Sequence, residues 1–413
     1  MEKCDYLVIG AGIIGVNVAI ELASRACNSN KKIIVIDKEG KEAQHASGRN
    51  SGVLHAGFYY TGDSLKSKFT RDGNMAMTKY CEENNLPIRK CGKLVVAQSS
   101  DEISILDELL DRAKVNGVSL EKITEKEAKK IEPKVKTTQY ALFSPTTSTV
   151  DPKLVMKSMV RDAIKKGVLF KFNTTYCRYK NGHVKTKDGL IKAGYIVNTS
   201  GLYADKIAND FGFSKDYYLL PFKGIYLKYN YSQNYLSTNI YPVPKLENPF
   251  LGVHYTATVD GKAKIGPTAI PAFWREQYKG LKNFNTVEFF EILIQQLHLI
   301  GSSKFDFKKL AIEEMLKYYK PNIVNQAVKL CSGFDKKKFN EWSTPGIRAQ
   351  LVNSRKRKLE MDFIIEGNGK SIHILNAVSP AFTCSITFSQ YIVDRIESLI
   401  SKKNHDNLIV LKE

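Results

Sequence analysis

The feature that most restricts this chain lies in its first forty residues. Tyr6-Leu7-Val8-Ile9 is a short apolar run of the kind buried on both faces of a parallel sheet. Gly10-Ala11-Gly12-Ile13-Ile14-Gly15 follows, then an apolar-rich helix to about Arg25, a second buried strand Ile33-Ile34-Val35-Ile36, and Asp37. Strand, Gly-x-Gly-x-x-Gly, helix, strand and acid in one unit is the pattern that grips a dinucleotide. Gly10 permits the tight turn, Gly12 lets the backbone approach a pyrophosphate, and Gly15 lets the helix lie close to the strand. The first helical turn, which contains Ile14, offers unpaired amides and a partial positive charge to phosphate. Asp37 is placed to accept from ribose hydroxyls. The motif alone does not choose between NAD and FAD.

The next segment, 45–60, crowds small, hydroxyl, amide and imidazole residues together, including Ser47, Arg49, Asn50, Ser51, Gly52, His55 and Tyr60. Such a composition suits a backbone running close to a large planar ligand. Lys plus Arg is 62 against 42 for Asp plus Glu, a net charge of +20, which favours anionic ligands or an anionic membrane face. No stretch interleaves aromatic and basic residues, so nucleic acid is not an expected partner. Seven scattered cysteines form no CxxC pair, and no apolar stretch approaches ~18 residues. A cytoplasmic protein is expected, with peripheral contact at the inner face of the cell membrane as a further possibility. Oligomeric state is not legible.

Later segments carry clear local signals. Asp151-Pro152 starts a helix that Gly167 ends, and Asn181-Gly182 and Asp188-Gly189 mark two tight hairpins. The strand Tyr195–Asn198 and the turn ending at Gly201 return the chain to the nucleotide domain. Ser99-x-x-Glu102 predicts a capping box. Strands are expected at Leu219–Tyr229, Phe250–Val259 and Lys262–Ile265, helices over 285–330, and a final helix from near Thr383 to about Ile400. Gly367-Asn368-Gly369-Lys370-Ser371 lacks the first glycine of a P-loop and reads as a turn. The expected fold is α/β, α+β overall: a Rossmann-like domain with a parallel sheet and β-meander, plus an inserted antiparallel-sheet substrate domain with extra helices. The nucleotide domain is assigned to 1–85, 145–215 and 344–413, and the substrate domain to 86–144 and 216–343.

The N-terminal fingerprint, the segment Ser47–Tyr60, Pro221-Phe222-Lys223-Gly224, Asn239–Pro244 and Phe250-Leu251-Gly252-Val253-His254 together resemble one family. Asp260-Gly261, Gly266-Pro267, Gly346-Ile347-Arg348-Ala349-Gln350 and Asn376-Ala377 with Ser379-Pro380 extend the likeness over nearly the whole chain. It resembles the L-2-hydroxyglutarate dehydrogenase/oxidase family, within the FAD-dependent superfamily that includes D-amino-acid oxidase. The resemblance implies FAD, held also by Gly201, Ser379, Ala381, Phe382 and Thr383, and oxidation of L-2-hydroxyglutarate to 2-oxoglutarate. It departs from the family at Arg49, where the family has His, and at Phe382 and Cys384, where small residues are usual.

Oxidising a 2-hydroxy acid requires hydride loss from C2, a base for the hydroxyl proton and a cation for the carboxylate. On an alternating strand His254 lies opposite the apolar residues Val253 and Tyr255, which makes it the first candidate for the base. His55 is the second, or a flavin contact. Arg348 is expected to clamp the carboxylate through its planar fork. Arg49, Tyr60 and Tyr226 are further candidates for substrate oxygens, whereas His373 on an apolar strand reads as a satisfied core histidine. An amino-acid or secondary-amine oxidase on the same scaffold is the alternative reading. The electron acceptor is expected to be a quinone, oxygen or a carrier protein.

Overall fold

The computed structural model describes residues 1–230, 235–245, 250–302, 306–401 and 409–411. The chain divides into two compact units, one of Met1–Arg49, Pro152–Leu220 and Ala349–Glu413, the other of Asn50–Asp151 and Pro221–Arg348.

The first unit is built on a sheet whose central strand is Glu2–Ile9. It pairs in parallel with Ile33–Ile36 on one side and with Gly189–Asn198 on the other, as the apolar runs require. Leu169–Lys171 extends the sheet beyond Ile33–Ile36, and Ser371–Ile374 extends it beyond Gly189–Asn198. The helices Ile13–Ser24, Pro152–Lys165 and Ala381–Ser401 pack together: Asn17 Nδ2 reaches Met159 Sδ at 3.2 Å, and Ser389 Oγ donates to the Ile14 carbonyl at 3.4 Å. Leu7, Ile9, Ile34, Ile36 and Ile196 fill a core with Ile207. Both meander turns form, with Asn181 and Gly182 at φ of 53° and 76°, the left-handed values a two-residue hairpin demands.

In the second unit an eight-stranded sheet runs in the order Phe339–Trp342, Leu227–Tyr229, Ala263–Gly266, His254–Ala257, Asn239–Pro242, Lys93–Val96, Tyr140–Ser144, Glu121–Thr124. A smaller sheet joins Val53–Leu54, Ser148–Val150 and Ile88–Arg89. Residues 50–85 and 145–151 pack within this unit, rather than in the nucleotide unit where the sequence places them. Asn74 on the helix Leu65–Glu83 holds the carbonyls of Leu54 and His55 at 3.1 and 3.2 Å, and Thr149 Oγ1 donates to Ala257 O at 2.9 Å. Residues 216–220 and 344–348 also sit on the opposite side of the expected boundaries.

Several local expectations change. Ser99 makes no capping bond; Glu102 accepts instead from Gln98 N at 2.7 Å, and the helix Ile103–Val115 begins through a 3-10 turn. A true capping box joins Thr124 and Glu127, on a short exposed helix, Glu125–Ile131, that the apolar pattern gave no reason to look for. The expected strand Leu219–Tyr229 breaks at Ile225 and Tyr226, whose amides go to the hydroxyls of Thr268 and Ser343 instead of a strand partner. Phe250–Val259 shortens to His254–Ala257 because Gly252 takes φ of 73°, outside any strand. Residues 246–249 lie outside the described residues. The 285–330 segment resolves into Thr286–Ser302, Phe307–Met315 and Lys320–Ala327. No described helix is long and apolar enough to cross a membrane.

Candidate active site

In the first unit the turn between Ile9 and Ile13 is held from three directions. Gly10 donates to Ile36 O at 2.8 Å, Ala11 to Asp37 Oδ2 at 2.7 Å, and Ile13 to Ser47 Oγ at 2.9 Å. Gly10 has φ of 106°, and a Cβ there would sit 2.7 Å from Thr199 O. At Gly15 a Cβ would lie 2.0 Å from Gly10 O, an overlap no adjustment of a side chain relieves. Gly12 caps the helix in an extended conformation, so the amides of the first turn have no carbonyl of their own helix to reach. Asp37 uses one oxygen on Ala11 and the other on Glu39 N at 2.9 Å, leaving lone pairs on each for a further donor. This is a phosphate-accepting helix start with an acid fixed at the adjoining strand end, and it fits the nucleotide half of FAD. Gly201 follows the strand Gly189–Asn198 at φ of 58°, and Ala381, Phe382 and Thr383 form the first turn of the helix Ala381–Ser401, just after Ser379.

Residues 50–60 of the expected flavin loop belong to the other unit. Asn50 accepts from Gly52 N at 2.8 Å, Ser51 Oγ accepts from Val53 N at 3.2 Å, and Ser51 O accepts from Lys264 Nζ at 3.1 Å. Arg49 closes the 3-10 turn Ala46–Gly48 in the first unit, its amide donating to Ala46 O at 3.3 Å.

Strand register in the second unit explains its polar cluster. Leu94, Ile240, Tyr255 and Ile265 stand opposite one another on four neighbouring strands and point into one core. Alternation therefore puts Lys93, Tyr241, His254, Thr256 and Lys264 on the reverse face. There the His254 ring stacks on Tyr241, and its Nδ1 bonds the Gly252 carbonyl at 3.0 Å. A carbonyl accepts only, so Nδ1 carries the hydrogen and Nε2 keeps its lone pair. Nε2 is buried and meets no hydrogen-bond partner among the described residues. Burial holds the His254 imidazolium well below its usual range; His55, Lys93 and Lys264 push the same way against the Gly252 carbonyl. His55 is held down to about 3, chiefly by burial.

Lys93 lies on this face with its side chain fully buried and Nζ without a hydrogen-bond partner among the described residues. Its ammonium sits 4.5 Å from the rings of Phe58 and Tyr59 and 4.9 Å from that of Tyr241. Burial lowers it to about 7. Lys264 stands 4.7 Å over the Tyr226 ring and is lowered to about 8, and Ser51 bonds the Tyr226 hydroxyl. Arg348 faces the Phe250 ring at 5.1 Å and is lowered to about 10 by burial, with Tyr60 near enough to oppose that shift. The sequence reading missed Lys93, Lys264 and Tyr241. The signal for Lys93 was available: a lysine opening the run Leu94-Val95-Val96-Ala97, which is apolar at every position and therefore buried on both faces. His373, by contrast, is a core residue between Phe211 and Phe213, bonded to Asn198 and Ser371.

Residues 5–395 match the family model described as "DAO: FAD dependent oxidoreductase". The chain belongs to the FAD-dependent oxidoreductase family. It is 31% identical to the L-2-hydroxyglutarate dehydrogenase of Escherichia coli (strain K12), covering 97% of this chain and 95% of that protein. Identity is 34% with the enzyme of the same description from Indibacter alkaliphilus, over 93% and 96% of the two chains. With the mitochondrial L-2-hydroxyglutarate dehydrogenase of Homo sapiens it is 33%, over 95% and 88%. Among solved structures, the dithionite-reduced L-alpha-glycerophosphate oxidase from Mycoplasma pneumoniae with FAD bound superposes with a TM-score of 0.73 at 20% identity, covering 100% and 97%. Glycine oxidase from Geobacillus kaustophilus gives 0.71 at 16%, over 96% and 95%. The α/β architecture of this FAD-dependent oxidoreductase is thus shared with oxidases of quite different substrates.

Proposed function

We propose that this flavoenzyme oxidises L-2-hydroxyglutarate to 2-oxoglutarate. The observation that carries the reading is the buried sheet face: Lys93 lies there beside His254, and among the described residues neither a hydrogen-bond acceptor nor a carboxylate meets its ammonium. A buried ammonium without a counter-ion is completed by an anion brought from outside. The names of the relatives supply the particular acid.

In this reading Gly10, Gly12, Ile14, Gly15, Asp37 and Ser47 hold the nucleotide half of FAD, with Asn50, Ser51, Gly52, Gly201, Ser379, Ala381, Phe382 and Thr383 the candidates for its remaining contacts. Bound FAD supplies the acceptor for the hydride that leaves C2. Arg348 pairs its fork with the C1 carboxylate, with Tyr60 beside it and Tyr226 available to a substrate oxygen. His254 Nε2 takes the hydroxyl proton, a step worth typically 10²–10⁴-fold. Burial keeps the ring neutral and so ready to accept, and the negative charge of an incoming dicarboxylate opposes the smaller push from Lys93 and Lys264. His55 and Arg49 remain a second base candidate and a second carboxylate contact.

Electrons then pass to an acceptor such as a quinone, oxygen or a carrier. One surface supports a quinone in a membrane. On the helix Thr286–Ser302, Val287 is 75% and Ile294 64% exposed, together with Phe290 and Leu297, while Glu288 and Gln296 face inward. Exposed Lys279, Lys282, Lys308 and Lys309 flank this apolar stripe in the sequence, as do Tyr318 and Tyr319. That arrangement fits an anionic bilayer surface.

The deciding experiment is the absorbance spectrum of purified holoprotein under anaerobic conditions. Bleaching of the flavin by L-2-hydroxyglutarate, and not by a panel of amino acids or secondary amines, is expected. Bleaching by an amine alone overturns the assignment in favour of an amine oxidase.

A further inference from the structure

We infer that Lys93 is the subsite for the second, distal carboxylate of the substrate, and so the residue that makes this enzyme select a dicarboxylate over a monocarboxylic 2-hydroxy acid. This rests on the hydroxy-acid reading given above and adds to it.

Three observations lead there. Lys93 is fully buried, and neither a hydrogen-bond acceptor nor a carboxylate meets its ammonium among the described residues. A structural lysine at such a position would have an acid or a ring of carbonyls, since an isolated buried ammonium is among the costliest groups a protein can hold. Second, its surroundings suit a short carbon chain ending in an anion. Phe58, Tyr59 and Tyr241 form an aromatic wall 4.5–4.9 Å from Nζ, which tolerates a cation and packs against methylene groups. Third, the cation is in the right neighbourhood. Lys93 acts on both His55 and His254, and His254 is stacked on the same Tyr241 ring that Lys93 faces. With the hydroxyl proton directed to His254 and the C1 carboxylate assigned to Arg348, the remaining charge of a five-carbon diacid needs its own counter-ion within reach of the imidazole. Lys93 is the buried cation available there. Lys264, the other cation that acts on His254, already donates to the Ser51 carbonyl and is only half-buried.

The probes are glutarate and pentanoate, which share chain length and differ only in whether the far end carries a charge. Their affinities for holoprotein are measured by titration calorimetry, in the wild type and in Lys93→Met, a change that preserves the length and apolar stem of the side chain. The glutarate-to-pentanoate affinity ratio is expected to fall at least thirtyfold in the variant. Equal weakening of both probes, or no change in either, overturns the inference.

Flavin content and melting temperature report whether the variant is folded. If it is not, the wild type decides alone, from heats measured at pH 8 in buffers of different ionisation enthalpy. A carboxylate arriving at Lys93 must draw a proton onto it, so glutarate is expected to take up more protons than pentanoate. His55 and His254 sit too far below pH 8 to contribute, and Lys264 is tested by Lys264→Met, which should leave the difference in place. Equal uptake for the two probes overturns the inference. Bleaching by L-2-hydroxyglutarate with an unmoved affinity ratio leaves the substrate assignment standing and removes only the role of Lys93. Absence of bleaching removes the assignment itself.

Discussion

The imidazole of His254 lies flat against the phenol ring of Tyr241, with centroids 3.7 Å apart and planes 15° from parallel. With Nδ1 tied to the Gly252 carbonyl, the ring is fixed in both plane and tautomer. His254→Ala should therefore lower kcat with L-2-hydroxyglutarate by about 10²–10⁴-fold. Flavin-to-protein ratio should stay at the wild-type value, because His254 is not among the residues assigned to the cofactor. Stopped-flow reduction of the flavin measures the first quantity, and denatured-flavin absorbance the second.

Acidity should act on the enzyme in two opposite ways. Lys93 at about 7 must carry its proton to attract a diacid, so kcat/KM for L-2-hydroxyglutarate falls as pH rises through that value. His254 stays neutral down to well below its ordinary range and sets the acid limb. His55, Tyr59 and Tyr241 also face Lys93 and do not titrate near neutrality. Stability follows the reverse course. A lysine whose folded value is depressed below the unfolded ~10.4 makes wild type gain stability from about pH 7 upward. Lys93→Met removes that dependence, and its melting temperature should exceed wild type most at pH 6, by the equivalent of about 1–3 kcal/mol. A pH series of thermal melts tests the pair.

Arg348 is a test of geometry as well as charge. Arg348→Ala should raise KM by the equivalent of about 2–5 kcal/mol, and Arg348→Lys should recover only part of it, since one ammonium cannot reproduce a two-pronged contact. An unchanged KM in the alanine variant rejects the clamp.

For the cofactor, the sharpest probe is a single methyl group. Gly15→Ala places a Cβ 2.0 Å from Gly10 O and 2.5 Å from Thr199 Oγ1, so the helix Ile13–Ser24 must move off the turn. The purified variant is expected to be colourless or nearly so, and flavin titration with fluorescence readout checks it.

Flotation with vesicles addresses the surface of the helix Thr286–Ser302. Wild type should float with vesicles rich in phosphatidylglycerol and not with neutral ones, and Ile294→Glu with Leu297→Glu should abolish flotation while leaving flavin reduction unchanged. Binding that ignores both headgroup charge and these substitutions rejects this contact.

Much of the first unit was legible because its signals are local. A glycine that must adopt φ of 106°, or that touches a carbonyl, leaves a residue type that no neighbour can mask, and the meander turns announce themselves in the same way. The second unit depends on register between strands far apart in sequence. Lys93 acquires its meaning from Tyr241 and His254, which reach it only through the pairing of Lys93–Val96 with Asn239–Pro242 and of that strand with His254–Ala257. The apolar run behind it marks Lys93 as entering a buried strand, but what the ammonium faces is not legible until that pairing is known. Val253 and Tyr255 declare the face opposite His254, but the residues alone left it equally readable as a structural histidine and the family resemblance made it the candidate base; its fixed tautomer depends on the bend at Gly252. Capping was misread at Ser99 because a matching pair of residue types does not ensure that the helix begins where the motif stands.

The position of Glu2–Ile9 at the middle of its sheet has a consequence for synthesis. One flank is supplied early by Ile33–Ile36, but the other comes from Gly189–Asn198, which in turn is edged by Ser371–Ile374. The ribosome therefore releases the first apolar strand long before its second neighbour exists, and the open edge of Tyr6–Ile9 must be shielded meanwhile from other nascent chains. A product cut short after residue 348 would leave the Gly189–Asn198 edge bare, and aggregation rather than a smaller working enzyme is its natural fate.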